Sequence, residues 1–105
     1  MFPDDKRRME KEHVYKLYFY VLGGASLEET PVVKNVRNCL REALGTSVTL
    51  DVIEVVSRPE AAVKEGILFT PTLLRISPEP KKRVVGNFLD KEKTMAALKL
   101  IQTLY

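Results

Sequence analysis

From Val14 to Leu22 the chain reads VYKLYFYVL, a run in which Lys16 is the one charged residue and aromatic and β-branched side chains dominate. Such a run predicts a strand covered on both faces and lying centrally in its sheet. The preceding residues 1–13 offer almost nothing to bury and predict a polar tail. Gly23 and Gly24 then break the strand. Two helix starts follow: Ser26 with Glu29 three residues on, as a capping box, or Thr30 with Pro31 at the first helical position. Apolar residues at Val32, Val33, Val36, Leu40, Ala43 and Leu44 recur at helical spacing, and Gly45 stands where a left-handed stop belongs.

The segment Val48 to Val56 (VTLDVIEVV) is again rich in β-branched residues and predicts a second strand, joined to the first in parallel through a right-handed crossover. Ser57 is positioned to cap a short helix running from Pro59 to Gly66. Strand character resumes from Ile67 to Ile76 around Pro71, which has no N–H to donate and so implies an edge, a bulge or a strand start. A turn at Pro78–Lys81 leads to a hairpin partner over residues 83–88. Asp90 then caps a closing helix with Met95, Leu98, Ile101, Gln102 and Tyr105 along one stripe. The order is βαβαββα, an α/β arrangement of thioredoxin-like type.

With 105 residues the chain is long enough for one domain and one core. Its 45% hydrophobic and 30% charged residues are ordinary globular usage. No apolar run approaches the roughly 20 residues of a membrane span, and the charged N-terminus is unlike a signal peptide; the expected compartment is the cytoplasm, with no membrane partner. One cysteine, Cys39, and one histidine, His13, argue against an intrachain disulfide, a bound metal or a cofactor. The net charge of +3 is spread along the chain, and the Lys81-Lys82-Arg83 cluster is too short for a nucleic-acid site, so no nucleic-acid partner is expected.

A thioredoxin-type enzyme needs a thiolate at the N-terminus of its first helix and a resolving cysteine two residues on. The corresponding loop here reads Gly23-Gly24-Ala25-Ser26, and Cys39 falls well inside the helix, where the dipole effect has faded. Cys39 therefore reads as a small core filler. The alternative is a thioredoxin-like oxidoreductase or peroxidase relative that uses this single cysteine. No serine of the chain sits in a nucleophile elbow, and the glycines match no phosphate-binding pattern. Tyr15, Tyr18, Phe19 and Tyr20 read as core rather than as a base-stacking platform.

The runs KLYFYV (Lys16–Val21), VIEVVSRPEAAVKEGILFTPTL (Val52–Leu73) and PEPKKRVVGNF (Pro78–Phe88) resemble the KaiB family, with the similarity spanning residues 14–105. That resemblance implies a domain over 14–105 and a non-enzymatic adaptor that docks on a KaiC-type ATPase ring in clock-related, stress or signalling regulation. A histidine kinase or other signalling protein is a further implied partner, and dimers or tetramers are left open. By resemblance, the KaiC-facing residues are Val56, Ser57, Arg58, Pro59, Glu60 and Ala62. The family also implies a second, tetrameric fold with a rearranged C-terminal half, for which Thr70 and Pro71 would be the switch element. Ala97 and Lys99 stand where clock-type relatives carry glycine and aspartate. Alanine favours helix over glycine by ~1 kcal/mol, and lysine suits a helix C-terminal half better than aspartate, so the expected resting state is thioredoxin-like. The Val21–Pro31 loop is longer than the family's usual one, and Asp51 replaces a basic residue; both departures bear on contacts with auxiliary clock proteins.

Overall fold

A computed structural model describes residues 14–23 and 26–103. The expected tail at 1–13, His13 and Tyr105 lie outside the described residues. The elements are β1 (Tyr15–Val21), a 3-10 turn (Leu27–Glu29), α1 (Pro31–Leu44), β2 (Val48–Glu54), α2 (Pro59–Lys64), β3 (Thr72–Ser77), β4 (Lys82–Val85) and α3 (Lys91–Gln102). They form one mixed sheet in the order β2-β1-β3-β4, with β1 and β2 parallel and β3 antiparallel to both its neighbours. This is the thioredoxin-like fold, and β1 is central as its apolar run requires. Residues 94–101 are helical.

Proline decides both contested helix starts. A residue preceding proline is pushed out of helical geometry, and proline itself fits the first helical position. Thr30 is accordingly extended, caps α1 by accepting from the Val33 amide (3.4 Å), and Pro31 begins the helix. A capping box at Ser26 would need Thr30 to be helical; instead Ser26 opens the 3-10 turn with no side-chain cap. In the same way α2 begins at Pro59 with Arg58 at the cap position, which corrects the expectation that Ser57 caps this helix.

The segment 67–71, expected to be strand, is a connection. Gly66 turns the chain at φ +68°, and the ladder starts only after Pro71, whose peptide bond with Thr70 is cis; the Thr72 hydroxyl donates to the Phe69 carbonyl (2.5 Å) at that start. β4 likewise stops at Val85 rather than 88, because Phe88 turns into the core and packs edge-on against Phe19 with ring centroids 5.2 Å apart.

Helices α1 and α3 cover one sheet face over a core of Leu17, Phe19, Val33, Val36, Leu73 and Leu98, among others. Helix α2 covers a smaller cluster of Tyr20, Ile53, Ala62 and Leu74 on the opposite face. The buried stripe of α3 is Thr94, Ala97, Leu98 and Ile101, rotated from the expected one so that Met95 and Gln102 are only half-buried. Asn35 fixes that rotation, donating to the Phe88 carbonyl (2.7 Å) and the Thr94 hydroxyl (3.0 Å). No helix among the described residues is long and apolar enough to cross a membrane.

The largest fully buried side chain is Arg75, in the middle of β3. Its guanidinium donates to the carbonyls of Pro80 (2.6 and 3.2 Å), Thr103 (2.6 Å) and Ile101. One side chain thus fastens both the β3–β4 turn and the C-terminal end of α3 to the sheet. Arg75→Met fills similar space without donors and removes this partner from a buried carbonyl, that of Ile101, and two part-buried ones, those of Pro80 and Thr103. At roughly 1 to 3 kcal/mol for each unpaired group, partly recovered by relaxation, the expected loss is about 3 kcal/mol, and Arg75→Lys is expected to lose less. Urea unfolding checks this: a Met variant as stable as the parent removes Arg75 from its role.

Candidate protein-docking surface

Register brings one end of the sheet into focus. Val21 pairs with Glu54, Tyr20 with Thr72, and Thr72 with Val85, so the last residues of β1, β2 and β4 and the first of β3 lie side by side. The connections 22–30, 55–58, 67–71 and 86–90 all leave from this end. In open α/β sheets, the carboxyl ends of parallel strands are where ligands are met.

Each connection carries large apolar side chains that stay in water: Leu22, then Val56, then Leu68 and Phe69, then Leu89, all more than three-fifths exposed. Exposed apolar residues scattered singly mean little, but a set gathered on one end marks a contact surface. A groove of about 340 Å³ bordered by Leu22 and Leu89 of this set is lined further by Val32, Thr70, Pro71 and Phe88.

The connections are held by specific pairs. Glu54, largely shielded at the end of β2, accepts from the Ser57 hydroxyl (2.5 Å), the Ser57 amide (2.9 Å) and the Val56 amide (3.2 Å). The Ser57 hydroxyl, with backbone bonds from Ser57, Val56 and Gly23, holds the Glu54 carboxyl below its usual range. The same carboxylate therefore ties the exits of β1 and β2 together. Glu28 in the 3-10 turn takes both arms of Arg37 on α1 (2.6 and 2.8 Å), and this hydrogen bonding lowers its carboxyl. Phe88 and Asn35 anchor the fourth connection, leaving Leu89 outward.

The expected partner-facing residues divide. Val56, at 73% exposure, stands outward on this end with Ser57, Arg58, Pro59 and Glu60, whereas Ala62, at 8%, is turned inward under the sheet; this corrects its expected surface role. Six residues of helix suffice to turn one face to the sheet, so at that level Val63 is the exposed side chain, at 78%. Thr70 and Pro71 belong to the apolar end, but Ala97 is packed in the core and Lys99 lies exposed in the last turn of α3, away from them. Sequence reasoning missed Leu22, Leu68, Phe69 and Leu89, the apolar pair before Thr70 having passed as strand.

Cys39 is almost fully buried in α1, and burial pushes its thiol pKa up, the reverse of what a nucleophile needs. Its Sγ lies 3.8 Å from Asn35 Oδ1.

A family model described as the KaiB domain matches residues 18–100. The chain belongs to the KaiB family. It is 33% identical over 92 residues to the circadian clock oscillator protein KaiB of Microcystis aeruginosa, covering 88% of this chain and 86% of that one. With the corresponding Cyanothece protein it shares 32% identity over 93 residues, 89% and 86% of the two chains. Among solved structures, the N-terminal domain of Synechococcus elongatus SasA aligns at TM-score 0.59 and 21% identity over 85% of each chain. Thioredoxin O2 of Arabidopsis thaliana aligns at TM-score 0.61 and 16% identity, over 87% of this chain and 77% of its own. These two likenesses establish the fold; the KaiB relatives are clock proteins.

The depressed Glu54 carboxyl sets a pH dependence. A folded-state pKa below the ordinary 4.5 contributes stability that is fully present above that value and is lost as pH falls through the folded one. Glu54→Gln is therefore expected to be less stable than the parent near neutrality and to lose less stability on acidification. Parallel slopes in denaturant unfolding from neutral pH into the acid range would remove the carboxylate from the loop's support.

Proposed function

We propose that this KaiB-family chain is a non-catalytic adaptor that binds a KaiC-type ATPase ring through the apolar end of its sheet. Val56, Ser57, Arg58, Pro59 and Glu60 are the contact residues, joined by Leu22, Phe69 and Val63. The observation carrying this reading is the gathering of exposed apolar side chains on one end whose connections are pinned by Glu54, Arg37 and Phe88. A surface that is apolar and held in place in the free chain loses little conformational entropy on binding. Kinship with clock proteins of the KaiB family supports a clock-related protein as the partner.

Residues 14–105 form the working domain, in the cytoplasm, and a signalling kinase that shares the ring is a second partner. Thr70 and Pro71 are the point at which the C-terminal half would depart from the thioredoxin-like state, with Ala97 and Lys99 biasing the chain toward it. Ala97 contributes both helix propensity and a buried methyl to α3. The oxidoreductase alternative rests on Cys39 alone, whose burial and raised thiol pKa speak against it.

Titration of the parent chain against a KaiC-type hexamer loaded with nucleotide is expected to give a saturable complex. Val56→Asp and Phe69→Asp, both at exposed sites, are each expected to weaken it about tenfold or more, as truncation of a contact-centre residue does. Cys39→Ser is expected to leave it unchanged, and cysteine-dependent reduction of insulin is expected to be absent. Undiminished binding by both aspartate variants, or no complex with the parent chain, overturns the reading.

Replacing Ala97 by glycine is expected to destabilise the chain by about 1 kcal/mol from helix propensity alone, with further loss from the missing methyl. Helical content and the unfolding midpoint, followed with and without Lys99→Asp, measure the bias; identical populations in all variants remove both residues from it.

A further inference from the structure

Helix α2 is too short to cover the sheet face it packs on. Its six residues span about 9 Å, whereas the seven-residue strands β1 and β2 run about 23 Å. Alternation along β1 brings Tyr18 and Tyr20 to this same face, their rings edge to face with centroids 6.2 Å apart. Beside the helix lies a pocket of about 460 Å³, a size typical of small-molecule sites. Buried Tyr20 and Ile53 and half-buried Tyr18, Ala61 and Ile76 form its apolar part. Exposed Asp51, Arg58, Glu60 and Lys64 add two charges of each sign, and the remaining lining residues, Glu65 and Lys81, pair with each other at 3.0 Å.

Tyr20 is completely buried, and its hydroxyl meets no hydrogen-bond partner among the described residues. Buried hydroxyls are nearly always paired, so a lone one in the lining of a pocket marks a place for an acceptor. Burial first, then the Glu65 carboxylate and Tyr18, push the Tyr20 pKa up to about 12 against the opposing pull of Arg83 and Arg58, so the hydroxyl keeps its proton and donates. We infer that this pocket binds a small zwitterion with an apolar body, of the free amino acid class. The ligand's carboxylate accepts from Tyr20 and meets Arg58 or Lys64, its ammonium meets Asp51 or Glu60, and its side chain lies against Ile53, Ala61 and Ile76. The balance of signs sets the class, because a ligand of one sign alone would face two like charges. Glu65 is neutralised by Lys81 and so does not repel the carboxylate. The pocket shares Arg58 and Glu60 with the proposed ring contact but does not rest on it.

The probe is L-phenylalanine, titrated into the isotope-labelled full chain and followed through amide chemical shifts. Saturable shifts are expected at residues 18–20, 51–53 and 58–65, with a dissociation constant of about 1 mM or below for a ligand of this size. The analogues 3-phenylpropionate, without the ammonium, and 2-phenylethylamine, without the carboxylate, are each expected to bind at least about fivefold more weakly. Tyr20→Phe removes a hydroxyl that has no partner to lose in the free chain, so its unfolding midpoint is expected at or above the parent's, while phenylalanine binding falls at least about fivefold. Lys64→Glu, at an exposed position, is expected to shift the preference between the two analogues toward the amine. Phe69→Asp is expected to leave phenylalanine binding unchanged, so failure of either proposal leaves the other standing. No saturable shift up to about 10 mM phenylalanine, analogues that bind as well as the amino acid, or undiminished binding by Tyr20→Phe overturns the inference. So does a Tyr20→Phe chain less stable than the parent, which is the mark of a hydroxyl already satisfied by a buried water.

Discussion

A fully buried guanidinium that meets only backbone carbonyls among the described residues governs how this chain closes. Arg75 carries its charge into the space between sheet and α3, where an unpaired charge would be prohibitive. It is tolerated because backbone carbonyls converge on it: Pro80 from the β3–β4 turn, and Ile101 and Thr103 from the end of α3. The last carbonyls of a helix have no partner within it and hold the negative end of its dipole. Arg75 therefore satisfies the end of α3 and is itself stabilised by it. Two segments far apart in sequence are fixed by one residue, and the C-terminal half is defined by that residue as much as by its apolar stripe.

Such a lock opposes any rearrangement of the C-terminal half. For α3 to unwind, the chain must give up the Arg75 contacts and re-expose Ala97, Leu98 and Ile101 together. Alanine at 97 and lysine at 99 add only local preferences of the size expected for propensity and dipole effects. Local bias and tertiary lock point the same way here. Agreement between levels is what gives one state a clear advantage over a competing one.

The order of elements was legible because its signals are strong and local: the aromatic run of β1, the helical periodicity of α1, the β-branched run of β2, and prolines that fix helix starts. What misled was also local. Ser26 and Ser57 are good capping residues by type, yet the prolines that follow Thr30 and Arg58 place the cap elsewhere. Leu68 and Phe69 carry strand composition but stand before Pro71, so they became exposed loop. The stripe of α3 was misread by part of a turn, because its rotation is set by Asn35 on another helix, a contact that no reading of residues 91–105 contains. Arg75 was illegible for the same reason: a lone arginine in a strand looks like a surface residue until its three carbonyl partners are brought round it.

The candidate surface follows the same division. Val56 to Glu60 could be named from a resemblance, since they are contiguous, whereas Leu22, Leu68, Phe69 and Leu89 are neighbours only through the pairing of β1 with β2 and β3. That pairing also sets what stands where a thioredoxin-type thiol would be. In a thioredoxin-like sheet the end beside α1 is where a reactive thiol would sit, and here the first helix begins instead with Thr30 and Pro31 while the cysteine is deep in the helix and buried. An end of the sheet that has apolar loops fixed by a carboxylate and a bidentate arginine pair has physical attributes of recognition: preorganised backbone and uncovered apolar area.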